Sequence, residues 1–332
     1  MENSFNCITV LGPTATGKTS LAVKLALCCG TISNIAKNAQ IISADSRQVY
    51  KGLDLGSGKD LNEFSHKNED GTFTKVPYHL IDITDLSCEF SVFNYQQAFY
   101  RTFAQIIQQN AMPIICGGTG MYLDSILRDY KLLTVPTNVP LRESLNGKSD
   151  AELVSILKNL KGDLHNSTDL TERHRLVRAI EIAKYEKTED AKAVLAKMPP
   201  RPDIRSFNIG LTFPRSTLRS RIKLRLIERL KDGMIEEVEN LVASGVSFNR
   251  LERLGLEYRF IAEFLQGNFS SKEEFIEKLY IAIGQFAKRQ ETWFRGMEKK
   301  GIKINWLNTN ENTTSEEVFE MAKQMLENIK FD

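Results

Sequence analysis

Gly12-Pro13-Thr14-Ala15-Thr16-Gly17-Lys18-Thr19 has the spacing G-x-x-x-x-G-K-[ST] of a phosphate loop. Such a loop wraps backbone N–H groups around phosphate oxygens at the start of a helix, where the dipole also favours negative charge. Lys18 brings a point charge to the phosphates, and the Thr19 hydroxyl is placed to reach a bound Mg²⁺. Both flanks agree. Ile8-Thr9-Val10-Leu11 suits a buried strand, and Ala/Leu-rich Ser20 to Cys29 suits a helix. The loop reads as a polyphosphate site, without saying which polyphosphate or what becomes of it.

Asp45 is the leading acid–base candidate. It follows the apolar run Gln40-Ile41-Ile42-Ser43, where a carboxylate at a strand end can take a proton from a nucleophile. A Mg²⁺-binding acid of a kinase-like site and a plain turn-capping Asp remain open at that position. Thr119 stands in the glycine turn Gly117-Gly118-Thr119-Gly120, where a ligand can approach the backbone closely and a hydroxyl can donate or accept. The plainer reading of Thr119 is a helix N-cap.

Basic residues are clustered. Arg175 and Arg178 are three apart, and Arg221 and Arg225 four apart, so each pair shares a helical face suited to phosphates or to ion pairs with Glu181 or Glu228. From Arg201 to Lys231 nine basic residues face two acidic ones. Lys288-Arg289-Gln290-Glu291-Thr292-Trp293-Phe294-Arg295 mixes cations, an amide and aromatics, a combination that can hold a backbone, read base edges and stack on bases. Taken alone, Trp293 and Phe294 read more readily as core residues.

These groups need a frame. Strand-like runs at 8–11, 40–43, 78–82 and 112–116 alternate with helical spacing at 20–29 and 92–109. That alternation predicts a parallel sheet with helices on both faces, with ligands beyond the carboxyl ends of its strands. The phosphate loop, Asp45 and the Gly117–Gly120 turn should therefore line one rim. Pro136 and Pro140 mark a linker, 141–196 reads as helical without strands, and the proline cluster at 199–202 is a break. A strand over 207–212 follows, then helices over 215–231, 234–244, 258–266 and 272–299 and a short strand over 302–307.

The chain of 332 residues, 42% hydrophobic and 26% charged, suits a globular protein of about two domains or one with an insertion. No apolar run approaches a membrane span of about 20 residues, and polar Met1 to Asn6 leaves no room for a signal peptide. Five cysteines without C-x-x-C spacing read as free thiols in a reducing cytoplasm, and four scattered histidines offer no structural zinc site. A net charge of +2 predicts no nucleic-acid binding by itself, but the basic stripes fit an anionic partner on one face.

Taken in order, the phosphate loop, Ser43-Ala44-Asp45-Ser46-Arg47-Gln48-Val49-Tyr50 through Gly56-Ser57-Gly58-Lys59, Gly117-Gly118-Thr119-Gly120-Met121-Tyr122, Arg175-Leu176-Val177-Arg178-Ala179-Ile180-Glu181 and the Lys288–Arg295 run resemble the tRNA dimethylallyltransferase (IPP transferase) family over about residues 8 to 307. The resemblance implies a P-loop NTPase-like α/β core in two parts, 1–130 and 205–332, interrupted by a helical insertion at 131–204 that grips the anticodon loop. It implies a cytoplasmic, monomeric, Mg²⁺-dependent enzyme that moves the dimethylallyl group of dimethylallyl diphosphate to N6 of an adenosine at tRNA position 37, releasing pyrophosphate. Gly12, Pro13, Thr14, Ala15, Thr16, Gly17, Lys18, Thr19 and Arg225 would hold the diphosphate, with Thr19 the metal ligand. Asp45 would take the N6 proton, Thr119 would contact the reacting adenosine, and Lys18 would stabilise the leaving group. Asp45, Ser46, Arg47, Gln48, Thr119, Arg142, His174, Arg175, Arg178, Lys288, Arg289, Gln290, Trp293 and Arg295 would touch tRNA.

Three departures concern tRNA fit. Glu257 stands before Tyr258 where the family usually has Gly-Tyr-Arg, which could place a carboxylate near RNA. Thr171-Glu172 replaces a usual Asn-Asp, and Arg47 replaces a neutral residue. Rival readings are a prenyltransferase acting on free adenylate, a metabolite kinase, and an RNA-binding protein without catalysis. The insertion and the Lys288 run disfavour the first, a lack of ATP dependence would exclude the second, and intact Lys18, Thr19, Asp45 and Thr119 disfavour the third.

Overall fold

Cys7-Ile8-Thr9-Val10-Leu11 is buried at every position and forms the strand to which the rest of the sheet is built. The structure, a computed structural model, describes residues 4–31, 38–68, 70–161, 172–327 and 329–332. In chain order the elements are β1 (Cys7–Leu11), α1 (Lys18–Cys28), β2 (Ala39–Ser43), β3 (Ser65–Lys67), β4 (Phe73–Lys75), β5 (Tyr78–His79), α2 (Val92–Gln108), β6 (Met112–Gly117), α3 (Gly120–Leu127), α4 (Val139–Asn146), α5 (Asp150–Lys161), α6 (Arg173–Tyr185) and α7 (Glu189–Lys197). They continue with β7 (Ser206–Gly210), α8 (Arg215–Lys231), α9 (Met234–Ala243), α10 (Phe248–Glu252), α11 (Leu256–Leu265), α12 (Lys272–Lys299), β8 (Asn305–Trp306) and α13 (Ser315–Glu327).

The chain divides into two compact units, Met1–Tyr130 with Pro202–Asp332, and Lys131–Arg201. The first holds a six-stranded sheet in the order β5-β2-β6-β1-β7-β8, parallel throughout. Its inner strands are continuous apolar runs because both faces are covered. Ile8, Ile41, Ile114 and Ile209 point to one face against α1 and α13, while Leu11, Ile42 and Ile115 point to the other against α2 and α3. A separate core of Leu218, Ile222, Leu226, Tyr258, Phe275 and Leu279 joins α8, α11 and α12.

The second unit is helical among its described residues. Leu141, Leu145, Leu153, Leu157, Leu176 and Ile180 from α4, α5 and α6 form its core.

The α/β class and parallel sheet are as the sequence predicts, but several elements differ. The strand expected over 78–82 stops at His79, because Leu80 (φ 62°) and Asp82 (φ 55°) are left-handed and cannot continue an extended ladder. Of 302–307, only Asn305 and Trp306 pair with β7. The β3–β4 hairpin, α10 and α13 were not expected, while α3 is the helix that the N-cap reading of Thr119 supposes. Helix α13 buries Val318, Ala322 and Leu326, four residues apart, in the core.

Candidate active site

Strand β6 lies between β1 and β2, so the carboxyl ends of three neighbouring strands meet on one rim. The phosphate loop leaves β1, Asp45 follows β2, and the Gly118 turn follows β6. The loop needs left-handed backbone at Ala15 (φ 61°) and Gly17 (φ 87°), and Gly17 is the N-cap of α1. Lys18 Nζ donates to the Pro13 carbonyl at 2.6 Å, and Thr16 Oγ1 donates to the same oxygen at 2.9 Å. Burial, with Arg225 adding to it, brings the Lys18 ammonium down to about 8. Burial pushes the Cys116 thiol on β6 up to about 12, with nearby Lys18 and Thr19 opposing the rise.

Asp45 divides its two oxygens. Oδ1 accepts from the backbone N–H of Arg47 at 2.8 Å and, at 3.4 Å, of Gln48, while among the described residues nothing donates to Oδ2. One oxygen thus holds the turn and the other is available as a base. Thr119 occupies the N-cap position of α3 but makes no side-chain cap bond. Its Oγ1 instead accepts from the Ser46 N–H at 3.0 Å, which ties the β6 turn to the Asp45 turn. Gln48 has both ends of its amide engaged in the protein, with Ser43 Oγ donating to Oε1 at 2.8 Å and Nε2 donating to Gly58 O at 2.9 Å. Arg47 packs its side chain over Gly255.

The Lys288–Arg295 run lies on α12 and separates by face. Lys288, Arg289 and Arg295 are exposed and form no ion pair with a described residue. Phe294 is core, and Trp293 seats its indole on Gly120, where a Cβ would come within 2.4 Å of the ring. Gln290 is buried. Its Oε1 accepts from the Thr14 N–H at 2.9 Å and its Nε2 donates to Gly118 O at 2.8 Å. Gln290 and Gln48, expected to touch tRNA, are therefore both bonded internally.

Beside the loop is a small, partly open hollow lined by Thr14, Ala15, Ile222, Leu226, Met234 and Ile283, with Arg225, Arg229 and Glu257 at its polar side. Arg225 and Arg229 both bond to Asp60, at 2.9 Å each. Glu257 thus faces the arginines of this hollow, and burial raises its carboxyl against their opposing pull. Arg221 reaches the loop too, with its guanidinium over Phe213 and Nη1 3.5 Å from Thr16 O. Lys59, though it closes the Gly56–Lys59 motif, is fully buried between Asp54 and Asp82.

In the helical unit, Glu181 is buried and receives Arg142 through two 2.8 Å bonds, Arg178 at 3.0 Å and the Asn138 N–H at 2.9 Å. These donors, led by Arg142, hold its carboxyl down at about 2. Arg142 and Arg178 are therefore partly committed to the fold, whereas His174 and Arg175 are exposed and, among the described residues, pair with the surface carboxylate of Glu172. Thr171 lies outside the described residues.

Sequence reasoning missed Asp60, whose partners are 165 and 169 positions away, and the internal bonds of both glutamines. Arg229 had a signal, since Arg221, Arg225 and Arg229 recur every four residues along α8.

Residues 48–297 match the model of the family described as IPP transferase. A tRNA dimethylallyltransferase 2 of Treponema denticola is 53% identical, the match covering 92% of this chain and 97% of that protein. The crystal structure of the full-length tRNA isopentenylpyrophosphate transferase of Bacillus halodurans has a TM-score of 0.64 and 27% identity, covering 96% of this chain and 95% of that one. A eukaryotic dimethylallyltransferase acting on tRNA, 19% identical with a TM-score of 0.69, covers 99% of this chain and 81% of its own and shares the fold. With the family model covering three-quarters of its length and a relative more than half identical across nearly all of it, this chain belongs to the IPP transferase family.

Proposed function

We propose that the protein transfers the dimethylallyl group of dimethylallyl diphosphate to N6 of the adenosine at tRNA position 37, beside the anticodon, and releases pyrophosphate. The observation that carries this reading is the convergence of an unpartnered Asp45 Oδ2 and a phosphate loop on one rim, in a chain of this family.

The N6–C1 bond forms as the C1–O bond to the diphosphate breaks. Asp45 Oδ2 takes the proton that N6 loses, and the electron pair of the broken bond leaves with the pyrophosphate. Charge grows on that leaving group, so loop N–H groups, Lys18 and Arg225 favour the transition state over the bound donor. The apolar wall of Ile222, Leu226, Met234 and Ile283 suits a short hydrocarbon beside the diphosphate. The target base sits in a single-stranded loop, where its extrusion into a pocket costs little. The exposed Lys288, Arg289 and Arg295 of α12, and exposed His174 and Arg175 of the helical unit, suit contact with the RNA backbone.

Among the described residues no group of three His, Cys, Asp or Glu side chains converges. That fits Mg²⁺ carried in on the diphosphate oxygens with Thr19 as protein ligand, since Mg²⁺ readily binds through phosphates and few side chains. When bound it would neutralise diphosphate charge.

The test is incubation with Mg²⁺, labelled dimethylallyl diphosphate and either unmodified tRNA or AMP. Label in tRNA alone is expected. Label in AMP would make the protein a free-nucleotide prenyltransferase, and label in neither would overturn the reading.

A further inference from the structure

We infer that Gln290 is a positioning residue that couples occupancy of the α12 RNA face to the shape of the phosphate loop. The inference rests on the function proposed above.

Gln290 leaves α12 directly after exposed Lys288 and Arg289 and is itself buried. Its Oε1 accepts the Thr14 N–H at 2.9 Å, inside the loop that would hold the diphosphate. Its Nε2 donates to Gly118 O at 2.8 Å, one residue before Thr119, whose hydroxyl receives the Ser46 N–H next to Asp45. One rigid amide therefore spans the diphosphate loop and the turn beside the base. Both bonds are needed to fix the side chain, because an amide offers its acceptor and its donors from opposite ends of one plane.

The surroundings are built around this amide. A Cβ at Gly118 would lie 2.5 Å from Gln290 Nε2, 3.2 Å from Gly12 O and 3.6 Å from Lys18 Nζ. Three groups of the site thus meet where residue 118 has no side chain. A small displacement of α12 by RNA is passed to Thr14 and Gly118 together, since close-packed interiors transmit displacement rather than absorb it. The coupling must be reciprocal, so bound pyrophosphate changes tRNA affinity by the factor that tRNA changes pyrophosphate affinity.

The test uses the full chain with inorganic pyrophosphate and Mg²⁺ as donor-site probe and unmodified tRNA as acceptor, each titrated alone and in the presence of the other. Gln290→Met keeps the length and removes both bonds. Gln290→Asn keeps the amide and removes its reach. Both variants should weaken pyrophosphate binding about tenfold, the scale of a lost buried hydrogen bond. Both should leave tRNA binding without pyrophosphate within about twofold of the parent and abolish the parent's mutual effect of the two ligands. Loss of tRNA affinity with pyrophosphate affinity intact would make Gln290 a base-reading contact and overturn the inference. So would unchanged coupling, or loss of both affinities with an unchanged melting temperature. The pyrophosphate arm alone needs neither tRNA nor turnover, so it can fail while the proposed reaction stands.

Discussion

Thr119 Oγ1 accepts the backbone N–H of Ser46 at 3.0 Å, across 73 residues of sequence. This bond links the turn after β6 to the turn after β2, and so fixes the Thr119 hydroxyl relative to Asp45. A helix N-cap would have turned the same hydroxyl inward to α3. Thr119→Val keeps the shape and removes the acceptor, leaving the Ser46 N–H unsatisfied. Turnover should fall about tenfold with donor KM little changed. A steady-state kcat equal to the parent's would show that the link is dispensable.

Asp45 invites a finer substitution than alanine. In Asp45→Asn the side-chain oxygen can still accept from Arg47 and Gln48, so the turn survives, but the group is no longer a base. The expected result is pyrophosphate binding near that of the parent and turnover reduced about 10²- to 10⁴-fold. Single-turnover measurement with labelled donor separates this from a defect in binding, and a variant as active as the parent would remove Asp45 from proton transfer.

On the proposed reading, Lys18 gives the reaction a basic limit. Its folded-state value, about 8, lies below the ordinary 10.5. Between the two, the unfolded chain holds a proton that the folded chain has released, so this group's contribution to stability rises with pH in that window. Ligand binding runs the other way, because the diphosphate needs the ammonium. Pyrophosphate affinity should decline through about pH 8 and approach a tenfold loss per pH unit beyond it. Titration calorimetry from pH 7 to 9 reads this directly, and a flat profile would assign the charge elsewhere.

Asp60 stands where a diphosphate would compete, since Arg225 and Arg229 both bond to its carboxylate. Asp60→Asn should tighten donor binding about three- to fivefold, as befits a partly exposed ion pair. An unchanged or higher donor KM would mean that Asp60 aligns the arginines rather than opposing the donor.

In the helical unit, Glu181 holds Arg142, Arg178 and the Asn138 N–H from a fully buried position. Its folded-state value, about 2, lies below the ordinary 4.5, so its stabilising contribution is complete above pH 4.5 and is lost as pH falls toward 2. Glu181→Ala strands two guanidiniums and should cost about 3 kcal/mol, read by urea unfolding near neutral pH. A loss below about 1 kcal/mol would show that water replaces the carboxylate freely.

The sequence by itself determined the parts that depend on local order. The phosphate loop is eight consecutive residues with apolar flanks, and the runs 8–11, 41–43 and 112–116 are buried because a two-sided sheet accepts only such runs. Arg215–Lys231 and Lys272–Lys299 appear with the bounds that their spacing predicts. What a side chain faces is different, because it depends on partners far along the chain. Gln290 and Thr14 are 276 residues apart, Arg225 and Asp60 165, and Arg142 and Glu181 39. An amide that can read a base can equally bridge two loops, and an arginine that can hold a phosphate can equally hold a carboxylate. Only the tertiary structure decided between them. It engaged Gln48 and Gln290 internally, tied Arg142 and Arg178 to Glu181, turned Glu257 toward Arg225 and Arg229, and left Asp45 Oδ2 without a donor among the described residues.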